Sequence, residues 1–275
     1  MFTTIEKVNF QQAVETWNQG FSDYLLPITV DQKALEHRIE SLKLSKKLSA
    51  IYSIKGESAG IILLGVQTFQ GTKVMWVGGM AVVPKYRRNK VASKLMDYAE
   101  QLAKENQCEY LVLEVIKENE RAKRLYQEKG FQLINELAVG SVVLPTIINE
   151  NECTDFKAVS LEERALSETK WMPWQNRSIF SDQNYDIYHE ELKVGSISFN
   201  LVEEASGKNL ILKQLQLVEQ KNYPLITAVL LTLKEQENLD IIKFTNFDKA
   251  TPEYTELEKI GITLQLTQLQ LAKKI

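Results

Sequence analysis

The most chemically specific residues lie in "MAVVPKYRRNKVASKLM", positions 80–96. Met80–Val83 are apolar, Pro84 stops them, and four of the six residues Lys85–Lys90 are Lys or Arg. An amphipathic run opens at Val91. A strand that turns directly into a helix presents unpaired N–H groups and the positive end of the helix macrodipole at the turn. Guanidinium and ammonium groups in that turn make an anion site of the kind that holds a pyrophosphate. Without its flanking strand and helix, the same run reads rather as a solvated basic turn, since charge runs usually lie at the surface. A second pattern follows at Asn119, Ala122, Leu125, Tyr126, Gly130 and Phe131, with a polar helix start and a glycine placed at the helix end. Metal and triad chemistry have little to draw on. The chain has two histidines, His37 and His189, and two cysteines, Cys108 and Cys153, without the clustered spacing of a zinc site. No metal is expected.

The elements that must position these residues follow from periodicity. Residues 11–24 read as a helix with Ala13, Val14, Trp17 and Phe21 on one side. Residues 31–44 read as a second helix, with Asp31 as N-cap and Leu35, Ile39 and Leu42 as the apolar stripe. Strands over 48–56 and 57–66 meet at a Lys55-Gly56-Glu57 turn. The run 72–84 is nearly all apolar, which suits a strand buried on both faces. Gly78 and Gly79 inside it predict a bulge or a close approach. A helix over 90–106, a strand over 109–115, a helix over 119–129 and one or two strands over 131–144 complete this half. A hairpin followed by alternating strands and helices predicts an α/β fold with a mixed, mostly antiparallel sheet flanked by helices.

Residues 145–155 are polar, aperiodic and linker-like. Beyond them the plan repeats faintly, with a hairpin over 185–202, a strand over 209–219 and a helix over 224–236. A strand over 239–247, a helix over 252–260 and a strand over 262–271 follow. The expected division is one domain at 1–145 and a second copy of its plan at 156–275. With 44% hydrophobic residues the chain has material for packed cores, and its net charge of −3 gives no reason to expect a nucleic-acid partner. "MFTTIEKVNF" lacks an apolar signal core, and no apolar run approaches about 18 residues, so no membrane partner and a reducing, cytoplasmic setting are expected.

The two motifs, in this order, resemble those of the GNAT superfamily of N-acetyltransferases. The family's phosphate motif, Arg/Gln-x-x-Gly-x-Gly/Ala, aligns with Arg87-Arg88-Asn89-Lys90-Val91-Ala92. Its second signature, Asn-x-x-Ala-x-x-Leu-Tyr-x-x-x-Gly-Phe, is complete at Asn119–Phe131. The resemblance covers roughly residues 1–145 and implies acetyl-CoA as co-substrate and the primary amine of a small molecule or peptide as acceptor. It implies that Met80, Ala81, Val82 and Val83 bond the pantetheine arm like an added strand. It places Arg87, Arg88, Asn89, Lys90, Val91, Ala92 and Ser93 around the pyrophosphate. Asn119 either caps its helix or bonds the coenzyme. Tyr126 falls where the family's tyrosine lies near the coenzyme sulfur, as a general acid for the departing thiolate. Some members carry a glutamate base on the strand before the turn. This chain has Trp76 there, and Glu114 on the next strand acts through water or is structural. Phe21, Asp23 and Tyr24 are candidates for the acceptor side or simply helix-end residues.

The pattern is broken in two places. Lys90 stands where the family usually has glycine, and Arg88 occupies another position that is often glycine. Glycine lets the backbone approach phosphate without a Cβ in the way; lysine keeps its N–H but adds bulk, and binding need not fail if Lys90 keeps an ordinary helical conformation. The second half lacks the phosphate motif, and aligning Gly261 with Gly130 puts Leu257 in the place of Tyr126 and Tyr254 about one turn away. That half is expected neither to bind coenzyme nor to catalyse. Trp171 and Trp174 wall an acceptor site or an interface, or are packing. Two functions fit: an acetyl-CoA-dependent N-acetyltransferase, or a non-catalytic acyl-CoA-binding or regulatory module.

Overall fold

The computed structural model describes residues 1–25, 28–144, 154–204 and 207–275. They form two compact units. The first contains Met1–Val115, Asn119–Gln132 and Leu271–Ile275; the second contains Ile116–Glu118 and Leu133–Gln270. Pro27, Cys153 and positions 145–153 of the expected linker lie outside the described residues.

The first unit runs β1 (Phe2–Thr4), α1 (Phe10–Gly20), α2 (Gln32–Ser41), β2 (Ala50–Ile54), β3 (Glu57–Phe69), β4 (Thr72–Val82), α3 (Val91–Glu105), β5 (Tyr110–Ile116) and α4 (Glu120–Glu128). β1 to β4 pair antiparallel in sequence order, and β5 adds parallel to β4. Asn9 caps α1 by accepting the Gln11 N–H, and Asp31 caps α2 by accepting that of Ala34. α3 turns Val91, Leu95, Met96, Ala99 and Ala103 inward, a 3.6-residue period. Burial of each large side chain there contributes about 1.5–3 kcal/mol.

The expected bulge is present. The β3–β4 register passes from Leu64↔Val77 to Leu63↔Gly79, leaving Gly78 as the extra residue. The β4–β5 ladder runs from Val74↔Tyr110 to Val77↔Leu113 and then stops. The two strands therefore part at the bulge. α1 packs over this point, and a Cβ on Gly79 would lie 2.6 Å from the Trp17 ring.

The second unit contains β6 (Gln132–Val142), β7 (Asp155–Ala158), α5 (Leu161–Ala165), β8 (Gln183–His189), β9 (Leu192–Glu204), β10 (Gly207–Leu217), α6 (Ile226–Gln236), β11 (Ile241–Asp248), α7 (Pro252–Ile260) and β12 (Ile262–Lys274). β7 to β10 pair antiparallel, β11 adds parallel to β10, and β6 lies antiparallel on β11. Its core gathers Ile187, Ile197, Phe199, Leu212, Leu230 and Phe244. The order of a hairpin, a strand, a helix, a parallel strand and a helix thus occurs in both units.

The units do not coincide with a cut between 145 and 156. β6, which sequence order attaches to the first half, groups with the second unit through its pairing with β11. The end of β12 groups with the first unit, where the Ile275 N–H donates to Glu109 O at 2.9 Å and Lys273 pairs with Glu100 at 2.6 Å. Periodicity identifies strands but not their partners.

Candidate functional site

After Val83 the chain makes a 3-10 turn, Pro84–Tyr86, and reaches α3 through two left-handed residues, Arg88 (φ 65°) and Lys90 (φ 58°). Lys90 is thus not helical, contrary to the condition set for it above. The backbone keeps the glycine conformation at both departures from the family motif, at about 1–2 kcal/mol for each L side chain. Asn89 braces the turn by donating to the Tyr86 and Arg87 carbonyls at 3.3 Å, while Lys85 and Tyr86 bond Glu57 at the start of β3. No side chain caps α3 at Lys90. The first N–H groups of α3, from Val91 through Ser93, have no partner one turn back, and Val91 is anchored in the core at 2% exposure.

The cations of this turn separate into two kinds. Arg87 grips Asp23 through both terminal nitrogens and also reaches the Gly20 and Val82 carbonyls. Hydrogen bonds from Arg87 lower the Asp23 pKa, opposed by burial and helped by the Arg87 charge. Arg87 therefore ties the end of α1 to the turn. A forked guanidinium meeting a carboxylate in two parallel bonds is satisfied where it is. Arg88 and Lys90 are exposed, and their side chains have no ion pair or hydrogen bond among the described residues.

Between β4 and β5, past Val77 and Leu113, lies a wedge with an unpaired strand edge. Main-chain groups alternate sides along a strand. The Val83 N–H donates to Ala59 O at 3.0 Å, so Val83 and Ala81 turn toward β3 while Met80 and Val82 turn toward the wedge. Of the four residues expected to bond a pantetheine arm, two have their main-chain groups on that side.

Tyr126, on α4, is 6% exposed and packs against Phe131 with ring centroids 5.8 Å apart. Burial, and then the neighbouring Tyr24, raise its hydroxyl pKa well above the tyrosine range. Asn119 spends its side-chain oxygen on the Ala122 N–H at 3.1 Å, capping α4, and also hydrogen-bonds the Tyr24 hydroxyl. The capping role expected as one of its alternatives is present. Tyr24 also meets Phe21 edge-on, with ring centroids 5.2 Å apart.

Glu114 is the first β5 residue beyond the ladder, and its Oε2 accepts the Trp76 indole N–H at 2.6 Å. The sequence reading did not single out Arg38, on α2, whose Nη2 donates to the Gly78 carbonyl at 2.8 Å. The available signal was its position, three residues after Leu35 and beside Ile39, at the border of the apolar stripe.

The second unit has its own parting of strands. The β10–β11 ladder ends at Leu212↔Phe244, and the β9–β10 register skips Lys213. There a 3-10 turn of the chain itself, Trp174–Asn176, fills the gap. Asn176 donates to the Thr245 and Asn246 carbonyls at 2.7 and 3.1 Å and accepts from Gln214 at 2.8 Å. Trp174 is 3% exposed in this plug, whereas Lys170 lies over the Trp171 ring. α6 continues directly from a 3-10 helix, Gln220–Leu225, with Leu225 already helical. Leu257 is fully buried, and burial together with Glu258 pushes Tyr254 up to about 12. Among the described residues no cluster of three or more His, Cys, Asp or Glu is placed to hold a metal, and no helix is long and apolar enough to cross a membrane.

Residues 10–131 match the sequence model of the Acetyltransferase (GNAT) family. No curated protein matches the chain. Among solved structures, a GCN5-related N-acetyltransferase from Sphaerobacter thermophilus aligns over 100% of this chain and 95% of its own, at 11% identity and TM-score 0.65. A tandem GNAT protein from the clavulanic acid biosynthesis pathway aligns over 100% and 98%, at 11% identity and TM-score 0.64. A GCN5-related N-acetyltransferase from Anabaena variabilis aligns over 100% and 72%, at 14% identity and TM-score 0.61. At these identities the likeness is one of fold, and it spans both units.

Proposed function

Residues 10–131 belong to the GNAT family of acetyltransferases, and from that premise we propose that this protein moves an acetyl group from acetyl-CoA to a primary amine. The observation that carries the reading is the open wedge between β4 and β5, which lies in the strand–turn–helix run whose helix start no side chain caps. A free strand edge suits the amides of a pantetheine arm, which Met80 and Val82 are turned to bond. The α3 N–H groups, with Arg88 and Lys90, suit a pyrophosphate. Acetyl-CoA supplies an activated thioester. The neutral amine nitrogen bonds to the acetyl carbon, the carbon–sulfur bond breaks, Tyr126 gives its proton to the departing thiolate, and the proton shed by the nitrogen as the amide forms restores Tyr126 by way of solvent. Its buried, neutral hydroxyl suits a donor. The amine enters from the side of Tyr24 and Glu114. The second unit is a GNAT-like domain that carries no coenzyme, because its wedge is filled by Trp174–Asn176.

Calorimetry with acetyl-CoA tests the binding part, with one equivalent bound per chain as the expected outcome. Thiol release in the presence of free amino acids, glucosamine, an aminoglycoside and a peptide with an open N-terminus tests transfer. No heat at high micromolar acetyl-CoA would sink the enzyme. The alternative, a coenzyme-binding module without turnover, draws on Arg87 being held by Asp23 and on Trp76 standing where some relatives keep a base. Binding without thiol release across the whole panel would favour it.

A further inference from the structure

We propose that Arg38 is a positioning residue for this reaction: it holds the bulged peptide of β4 in place at the point where β4 and β5 part. The inference rests on the acetyl-transfer reading and adds a residue to it. α2 packs through Leu35 and Ile39, at 0% and 2% exposure, and Arg38 is carried inward beside them. Its guanidinium carbon lies 5.5 Å from the centroid of the Trp17 ring, and Trp17 in turn lies against Gly79. Its Nη2 donates at 2.8 Å to the carbonyl of Gly78, the residue that the β3–β4 register skips. A bulge residue lacks a ladder partner, and Arg38 supplies one from outside the sheet. Burial lowers the Arg38 pKa and the charge of Glu114 opposes this, while the Glu114 carboxylate itself accepts the Trp76 indole N–H. One side chain thus links α1, α2 and the bulge.

The placement is unfavourable for stability alone. Arg38 is largely removed from water, and its Nε is buried without a hydrogen-bond partner. Charged groups buried in this way are often replaced by apolar residues at no loss of stability. A guanidinium held at such a cost beside the mouth of the wedge is explained by what it orients. Its planar guanidinium meets the Gly78 carbonyl and the Trp17 ring together, which a lysine ammonium does only as a point charge. A displacement of about 1 Å in reacting groups costs on the order of a hundredfold in rate.

The test compares Arg38→Met and Arg38→Lys with the wild type in three measurements. These are acetyl-CoA affinity by calorimetry, thiol release with the panel amine that wild type uses fastest, and hydrogen exchange of amides 78–82. For Arg38→Met we expect kcat to fall at least tenfold, acetyl-CoA Kd to stay within about threefold, and exchange to quicken at the bulge but not at Val74–Val77. Arg38→Lys is expected to recover part of kcat, and it serves as the reporting variant where Arg38→Met does not fold. Unchanged kcat and unchanged bulge exchange would overturn the positioning role while leaving acetyl transfer standing. A proportionate loss of kcat and coenzyme affinity, following the melting temperature, would reduce Arg38 to a structural residue. Wild type that leaves acetyl-CoA unbound defeats the acetyl-transfer reading and this inference with it.

Discussion

Tyr126 keeps its proton because its hydroxyl has little water to give it to. Burial raises its pKa above the ordinary value of 10, so the stability that depends on a neutral hydroxyl is intact below the unfolded-state pKa. It is lost as pH rises beyond about 10, where the unfolded chain releases the proton first. Tyr126→Phe should therefore flatten part of the alkaline loss of stability in a pH series of melts. It should also lower kcat by about a hundredfold or more with little change in acetyl-CoA affinity; unchanged turnover removes Tyr126 from the mechanism. Lys90 presents a different balance. Its left-handed backbone costs about 1–2 kcal/mol, of which glycine would return about 0.5–1 kcal/mol through unfolded-state freedom. Lys90→Gly should raise stability by up to about 1 kcal/mol in denaturant titration. It should also make coenzyme binding less sensitive to salt, because one exposed cation is gone. Lys90→Ala loses the cation and keeps the strain, so a more stable Lys90→Ala would contradict this account.

At the scale of elements, the wedge is made by a bulge and kept by what packs on it. Gly79 lets α1 approach until the Trp17 ring occupies the space where a Cβ would be. Gly79→Ala should push Trp17 and α1 outward and cost about 1–3 kcal/mol, the usual range for overpacking a tight core. An urea midpoint equal to wild type would show that α1 moves freely over the strand. The bulge itself was legible, because paired glycines inside an apolar strand are unusual. The helix caps Asp31 and Asn119 were legible too, since capping depends on residues two or three positions away. The bond between Arg87 and Asp23 was not, because it joins residues 64 positions apart. A charge-rich turn announces its charge but not its partner. Arg38 escaped notice for the same reason.

For the whole molecule, the consequential feature is which strand completes which unit. Leu271 and Ala272 are buried at 7% and 5% exposure, and with Ile275 they belong to the first unit. Deleting Leu271–Ile275 should therefore destabilise that unit by about 2–4 kcal/mol, from lost apolar burial and a lost main-chain bond. Thermal unfolding of the shortened chain measures this; an unchanged transition would mean these residues are idle. By the same logic a chain ending at residue 145 leaves the first unit without this segment.

The sequence by itself determined what short-range chemistry can specify. The two motifs, the helices with their caps, the bulge glycines and the mixed sheet all follow from residue type and from periods of two and 3.6 residues. Only the tertiary structure decided the rest. It gave β6 and the end of β12 their units, paired Arg87 with Asp23, brought Arg38 to the bulge, and filled the second wedge with Trp174–Asn176. These are choices between partners distant in the chain. They are settled by which arrangement leaves the fewest buried polar groups and the least apolar surface unpaired, a property of the whole fold that no local pattern records.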